Sequence, residues 1–319
     1  MPSVNLNHAI ALLGATILAL TSPGLALAQS NGQGNGQGNG QGNAQQRCGL
    51  AFDSAPTEWI VNHNPIVEAQ ATREFDLMLV NRGDGPCTAV VSVDLRGEPF
   101  GLAQAGATER LPYVLVEESG SIDLTPRVGQ SRRPVESRPV NLGPGERSLM
   151  RFSLSVNTAE AVAAGLYTQT AYVQVDHPNG TPWTERPVTL GVRVASAALM
   201  GLKGEFTRVG GVATINLGQL NEGTRTLNTS LYVVSTSGYA VSVSSANGGR
   251  LRQGTSQWYI PYHLDVGDRS IDLSSVARVS VVSTQPRIDD YPLAVRIGSV
   301  AGRRAGDYSD VVTFTIAAL

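Results

Sequence analysis

Residues 111–126 read LPYVLVEESGSIDLTP, and residues 260–275 read IPYHLDVGDRSIDLSS. Laid over each other without a gap, the two stretches share Pro-Tyr, the Leu two residues on, and the run Ser-Ile-Asp-Leu. The echo extends outward. Upstream, one constant offset pairs Cys48-Gly49-Leu50 with Met200-Gly201-Leu202, Thr72-Arg73 with Thr224-Arg225, Leu79 with Leu231, and Val91 with Val243. Downstream, Gly165-Leu166-Tyr167 meets Gly306-Asp307-Tyr308, and the segments 167–175 and 308–316 alternate in step. Matching stretches in one order mean that the chain writes a single fold twice, each copy of about 120–150 residues with turns at sandwich-like spacing.

That fold is β. Phe75, Leu77 and Leu79 share one face of a segment, and Cys87, Ala89, Val91, Val93 and Leu95 share one face of the next. Such period-2 alternation, broken by Gly, Pro, Asn and Asp, is the pattern of half-buried strands. No long segment carries a helical period, and AEAVAA from Ala159 is one turn at most. The expectation is all-β: two tandem β-sandwiches, over residues 48–196 and 197–319.

The first residues stand outside the fold. Ala9 to Leu20 is apolar over the length of a signal-peptide core, and Ala26-Leu27-Ala28 offers small residues for cleavage before Gln29. Residues 1–28 therefore read as a signal peptide, with no later segment apolar and long enough to span a membrane. Residues 29–47 (QSNGQGNGQGNGQGNAQQR) hold nothing to bury and read as a flexible leader. In an exported chain the two cysteines, Cys48 and Cys87, read as a disulfide. At the constant offset they face Met200 and Tyr239, as if one copy were cross-linked where the other is packed. The cysteines make no CxxC motif and no His cluster accompanies them, so no metal is expected.

Chemistry finds little footing. The net charge of -2 gives no footprint for nucleic acid. His63, His177 and His263 stand alone in turn-like or loop contexts, and no GxSxG, HExxH or phosphate loop occurs. Asp289-Asp290 reads as a solvated turn, and the sequon Asn228-Thr229-Ser230 as part of a strand. No catalytic residue and no cofactor is expected. Arg82-Gly83-Asp84 matches an adhesive tripeptide, but between Asn81 and Gly85-Pro86 it is first of all a hairpin turn. The polar insertion 127–138 lies where the first copy is longer than the second, and reads as a solvated or a receptor-facing loop.

The ending AGDYSDVVTFTI (residues 305–316), the (L/I)PYxL element at Leu111 and Ile260, and the early Cys pair together resemble spore coat protein U domains, the subunits of archaic chaperone–usher pili. The resemblance covers nearly all of residues 48–319. It implies immunoglobulin-like, pilin-like sandwiches that lack one strand and take that strand from a neighbour. Its partners would be a periplasmic chaperone, an outer-membrane usher and an adjacent pilin subunit, with a surface or host receptor beyond. Display would be extracellular, after passage through the periplasm.

The copies differ where such a strand belongs. After its Val175 the first copy continues through the turn DHPNGTPWTERP into VTLGVRV, where Val188, Leu190, Val192 and Val194 share one face. This reads as the first domain's own completing strand. The rival reading makes it an early strand of the second domain. The second copy has no equivalent, so a groove is expected beside Tyr308, Val312, Phe314 and Ile316. The Gly-rich leader lacks the alternating apolar residues of a donor strand. The expected role is thus a tip subunit that accepts a strand and mediates attachment or biofilm formation. The alternatives are a shaft or coat subunit without a ligand, or a free-standing secreted sandwich protein.

Overall fold

The structure, a computed structural model, describes residues 47–53, 55–126, 139–158 and 162–319. The signal peptide, nearly all of the leader, the insertion 127–138 and the first residues of AEAVAA lie outside the described residues. Among the described residues there is no helix.

The first sandwich uses ten strands: β1 (Leu50–Phe52), β2 (Glu58–His63), β3 (Ala71–Asn81), β4 (Cys87–Asp94), β5 (Tyr113–Glu117), β6 (Ile122–Asp123), β7 (Val140–Leu142), β8 (Arg147–Val156), β9 (Gly165–Asp176) and β10 (Pro182–Val194). They form two five-stranded sheets, β1-β3-β8-β5-β6 and β2-β10-β9-β4-β7. The alternating residues of both sheets close one core around Trp59, which stacks on Phe75 with ring centroids 5.4 Å apart and meets Phe152 at 5.0 Å. Each such large side chain, fully buried, stabilises by roughly 1.5–3 kcal/mol.

The second sandwich uses β11 (Ala198–Gly204), β12 (Thr207–Val209), β13 (Val212–Thr214), β14 (Gly223–Ser235), β15 (Tyr239–Ser245), β16 (Arg250–Gln253), β17 (Tyr259–Val266), β18 (Arg269–Ile271), β19 (Ala277–Val281), β20 (Arg287–Ile297), β21 (Tyr308–Ser309) and β22 (Val312–Ala318). One sheet runs β11-β14-β20-β17-β16-β21 with β18 beside β17; the other has three strands, β19-β15-β22. A separate core gathers Val233, Tyr239, Val243, Ile260, Leu264 and Ile297. The pair β12–β13 stands apart as a two-stranded hairpin.

The strand registers define the true correspondence between the copies. Leu115 lies opposite Leu154, as Leu264 lies opposite Val295. Val91 lies opposite Val175, as Val241 lies opposite Ile316. Phe52 lies opposite Leu79, as Met200 lies opposite Val233. Met200 therefore corresponds to Phe52, and Tyr239 to Ala89. The constant offset holds at Thr72-Arg73 and fails on both sides of it, so the cysteines do not face Met200 and Tyr239. Part of the slip comes from the longer connection between Met200 and Gly223 than between Phe52 and Ala71, and two local features add to it. The β14–β20 ladder changes register between Thr226 and Ser230, where Pro292 lies opposite Ser230 without an N–H to give. The turn from β3 to β4 is also longer than the turn from β14 to β15.

That longer turn is built tightly. Cys48 and Cys87 are bonded, with Cα atoms 5.1 Å apart. The Asn81 side chain, fully buried, accepts from the N–H groups of Gly49 and Gly83 and donates to the carbonyls of Gly85, Leu142 and Gly143. A Cβ on Gly83 would lie 2.1 Å from the Arg47 carbonyl oxygen, so only glycine fits.

At the other end the chain passes from β10 to β11 through residues 195–197. Thr236 fastens this passage: its hydroxyl donates to the Ala195 carbonyl and accepts the Ala197 N–H, both at 2.9 Å. Its own carbonyl accepts the N–H of Ala164 from the first sandwich at 2.9 Å.

Candidate functional site

The two copies diverge at one sheet edge. In the first sandwich β9 has a neighbour on each side, β4 and β10. The antiparallel ladder with β10 runs the whole length of β9, from Asp176 opposite Pro182 to Gly165 opposite Val194. On its far side β10 pairs in parallel with β2, Thr189 with Glu58 through Val194 with His63. Val188, Leu190, Val192 and Val194 point into the first core, none more than 3% exposed. Beneath them Ala171, Val173 and Val175 of β9 are sealed at 0%. Pairing and burial both place β10 in the first sandwich, not the second.

The counterpart of β9 is the run β21–β22. Tyr308 and Ser309 pair with β16, and from Val312 the chain crosses to pair with β15. Among the described residues β22 has no neighbour on its other side. Val312, Phe314 and Ile316, the counterparts of Ala171, Val173 and Val175, pack on the second core but stay only half-buried. Tyr308 is half-buried too, its hydroxyl donating to the Arg304 carbonyl at 2.7 Å.

Among the described residues, the second sandwich also has no counterpart of β2. The connection from β1 to β3 supplies β2, which pairs with β10 and buries Trp59 and Val61. The equivalent connection from β11 to β14 forms the detached β12–β13 hairpin instead. There Val209 is 65% and Val212 55% exposed, and Leu199 of β11 is 45% exposed. Among the described residues, β22 thus ends its sheet with half-buried apolar side chains and an unpaired backbone edge.

The short motifs acquire a physical role. Tyr262 of the IPYHL element donates its hydroxyl to Asp310 of the terminal AGDYSDVV element at 2.7 Å, and Asp310 also accepts from Ser245 and from the Asn247 N–H. Burial, then the bond to Asp310, pushes the Tyr262 hydroxyl well above the ordinary phenol value. In the first copy Gln169 stands at the Asp310 position, and its amide bonds Gly101 and Pro99 instead. The Tyr113 hydroxyl is then buried without a partner, raised by desolvation alone.

Other residues singled out from the sequence fall as follows. Asp84 accepts the Arg47 N–H at 2.5 Å, so the Arg82-Gly83-Asp84 turn is engaged by its own chain. Asp289 and Asp290 do not form a turn: both lie in β20, Asp289 paired with Arg287 and accepting from Tyr239, Asp290 paired with Lys203. Nor does His63 stand alone in a loop. It ends β2, 2% exposed, with Glu68 at 3.1 Å on Nδ1 and Thr158 at 2.9 Å on Nε2. The Thr158 hydroxyl is itself buried, so the row fastens three chain segments and presents no nucleophile. The sequence marked His63 only by its alternation within EWIVNH. Among the described residues, no cluster of three His, Cys, Asp or Glu is placed to hold a metal, and no helix is long and apolar enough to cross a membrane.

No family model and no curated protein matches the chain. Among solved structures it is similar to a chain of the CsuC–CsuE chaperone–tip adhesion subunit pre-assembly complex of archaic chaperone-usher Csu pili of Acinetobacter baumannii, at 12% identity over 83% of this chain and 99% of that one, TM-score 0.47. It is similar to the CupB6 tip adhesin of Pseudomonas aeruginosa at 12% identity over 85% and 93%, TM-score 0.39. The CooA pilin subunit of enterotoxigenic Escherichia coli matches at 12% identity over 46% of this chain and 99% of that one, TM-score 0.33. These are likenesses at low identity, and the open edge of β22 is what bears on function.

Proposed function

We propose that the chain is a non-enzymatic subunit of a chaperone–usher pilus of the spore coat U type. Residues 1–28 direct export, 29–47 are a leader, 48–196 form a self-completed domain, and 197–319 form a domain that accepts a donor strand. The observation that carries this reading is the contrast between β9, sealed by β10, and β22, left half-buried at an edge. A periplasmic chaperone would cover that edge first, and an adjacent pilin subunit would replace it at the usher. Accepting a strand without a donor segment of its own favours the tip position, with the first domain free to meet a surface.

The test separates the halves. Residues 48–196 alone should unfold cooperatively as a monomer. Residues 197–319 alone should be unstable, and should gain a sharp transition when the peptide VTLGVRV, copied from β10, is added. Cooperative unfolding of 197–319 unaided, and unchanged by the peptide, overturns the proposal in favour of a free-standing sandwich.

A further inference from the structure

We propose that the outer face of β16, β17 and β20 binds an acidic polysaccharide, one bearing sulfates or carboxylates, along a line of Arg252, Arg250, His263 and Arg296. This inference is independent of the pilus reading. The pairing builds the line. Arg252 lies opposite Tyr259 and Arg250 opposite Pro261, while His263 lies opposite Arg296 on the next strand over. All four point away from the second core, because Leu251, Tyr262, Leu264, Val295 and Ile297 between them are buried. Adjacent strands lie about 4.8 Å apart and alternate residues about 7 Å apart, so the line spans roughly 20 Å.

The first copy provides the comparison. Its bridges Leu102–Leu111 and Ala103–Thr168 match the rungs Leu251–Ile260 and Arg252–Ser309, and its Val114–Ser155 rung matches His263–Arg296. Gly101, Ala103, Val114 and Ser155 thus stand where the second copy has Arg250, Arg252, His263 and Arg296. The same fold forms without any of the four basic residues, so folding does not account for them. The balance of charge follows the same division. Residues 197–319 hold eleven lysines and arginines against nine aspartates and glutamates, whereas residues 48–196 hold twelve against seventeen.

Arg250 and Arg252 are fixed in place but not neutralised. Their guanidinium carbons sit 4.8 and 5.7 Å from the centre of the Tyr259 ring. Arg250 donates through Nε to the Asn247 carbonyl at 3.1 Å, and Arg252 donates to the carbonyls of Ser256 at 2.9 Å and Thr255 at 2.7 Å. Most of the five donors on each guanidinium stay available. Among the described residues neither arginine has a carboxylate partner. Arg296 has Asp265 at 3.8 Å, yet its side chain is 59% exposed. Such planar forks take carboxylate-like oxyanions through two parallel bonds. Two other polyanions fit less well. The small positive excess of the second sandwich is no nucleic-acid footprint, and the Tyr259 ring, occupied by guanidinium groups, is not open to stack a base. The line carries no large aliphatic side chain to enter a lipid surface.

The experiment is calorimetric titration of the full chain with a heparin octasaccharide, with neutral dextran of similar length and with a short single-stranded DNA. The octasaccharide should bind, and raising salt from about 50 to about 200 mM should weaken it about tenfold or more. Dextran should not bind. Arg250→Gln combined with Arg296→Ser, the latter taken from the first copy, should weaken the octasaccharide about tenfold or more. Arg208→Gln combined with Arg278→Gln removes as much charge from the β12–β13 hairpin and β19, and should change binding less than about threefold. The proposal is overturned by no octasaccharide binding at the lower salt, by equal binding of dextran, by tighter binding of the DNA, or by equal losses in the two double variants. Should the first double variant fail to fold by near-ultraviolet circular dichroism, Arg250→Gln alone decides. Undiminished binding there places the glycan elsewhere, and a loss of about threefold or more supports the line.

Discussion

Tyr262 and Tyr113 occupy equivalent positions in the two copies but differ in one bond, so the pair isolates the value of that bond. Tyr262→Phe removes the hydroxyl that donates to Asp310 at 2.7 Å. A hydrogen bond to a charged group contributes about 1.5–3 kcal/mol. Asp310 keeps its bonds from Ser245, the Asn247 N–H and the Val311 N–H, so it is not left bare. The expected loss is therefore near the middle of that range, about 2 kcal/mol. For a sandwich of this size that is a fall in melting temperature of roughly 5–10 °C. Tyr113→Phe instead removes a buried hydroxyl that has no partner. Its orphaned state already costs about 1–3 kcal/mol, so the variant should be neutral or gain stability. Differential scanning calorimetry of the two variants beside the parent reads both effects. A Tyr113→Phe protein that loses as much as Tyr262→Phe would refute the reasoning, since ring packing and not the Asp310 bond would then explain both.

Replacing Cys48 and Cys87 by serine opens a link between residues 39 apart, and urea unfolding should show a loss of about 4 kcal/mol in the chain-entropy model; less than about 1 kcal/mol would mean that the β3–β4 turn is held without it. Asn81→Ala strips the partners from buried backbone groups on three segments, and equilibrium unfolding should register a loss of about 3 kcal/mol or more. For Asp289, the Arg287 hydrogen bond holds the carboxyl below its ordinary value of 3.8. A lowered folded value gives stability that is full above 3.8 and disappears as pH falls through the folded value. The parent's advantage over Asp289→Asn, read as the difference in urea midpoint, should thus be constant above about pH 4 and shrink as the pH falls further; an advantage that grows on acidification would contradict the assignment.

The alternation of β3, β4 and β22 made the architecture legible, because a half-buried strand must alternate. The repeat was legible through Pro-Tyr, because Tyr113 and Tyr262 hold the same ladder position in the two copies, while Ser-Ile-Asp-Leu falls on different rungs beyond the following turn. The register between copies was not. A ladder break opposite Pro292 and a longer turn at residues 82–86 shift the frame without leaving a gap that sequence identity reveals. The pairing of VTLGVRV with β9 was legible because its alternating apolar residues follow directly on Val175 and a turn.

The passage through residues 195–197 also defines how the molecule carries tension. A pull that separates the sandwiches enters β10 at Val194 and runs along that strand, not across it. Because β10 lies between β2 and β9, the load would shear two ladders at once, with every rung sharing the force. The bonds from Thr236 to Ala195, Ala197 and Ala164 lie in front of that path and must break first. They form a small yielding element in series with a strong one. Under stretch the two sandwiches should therefore part and pivot at a low force while each keeps its fold, so that the joint, and not the core, absorbs the first part of any pull.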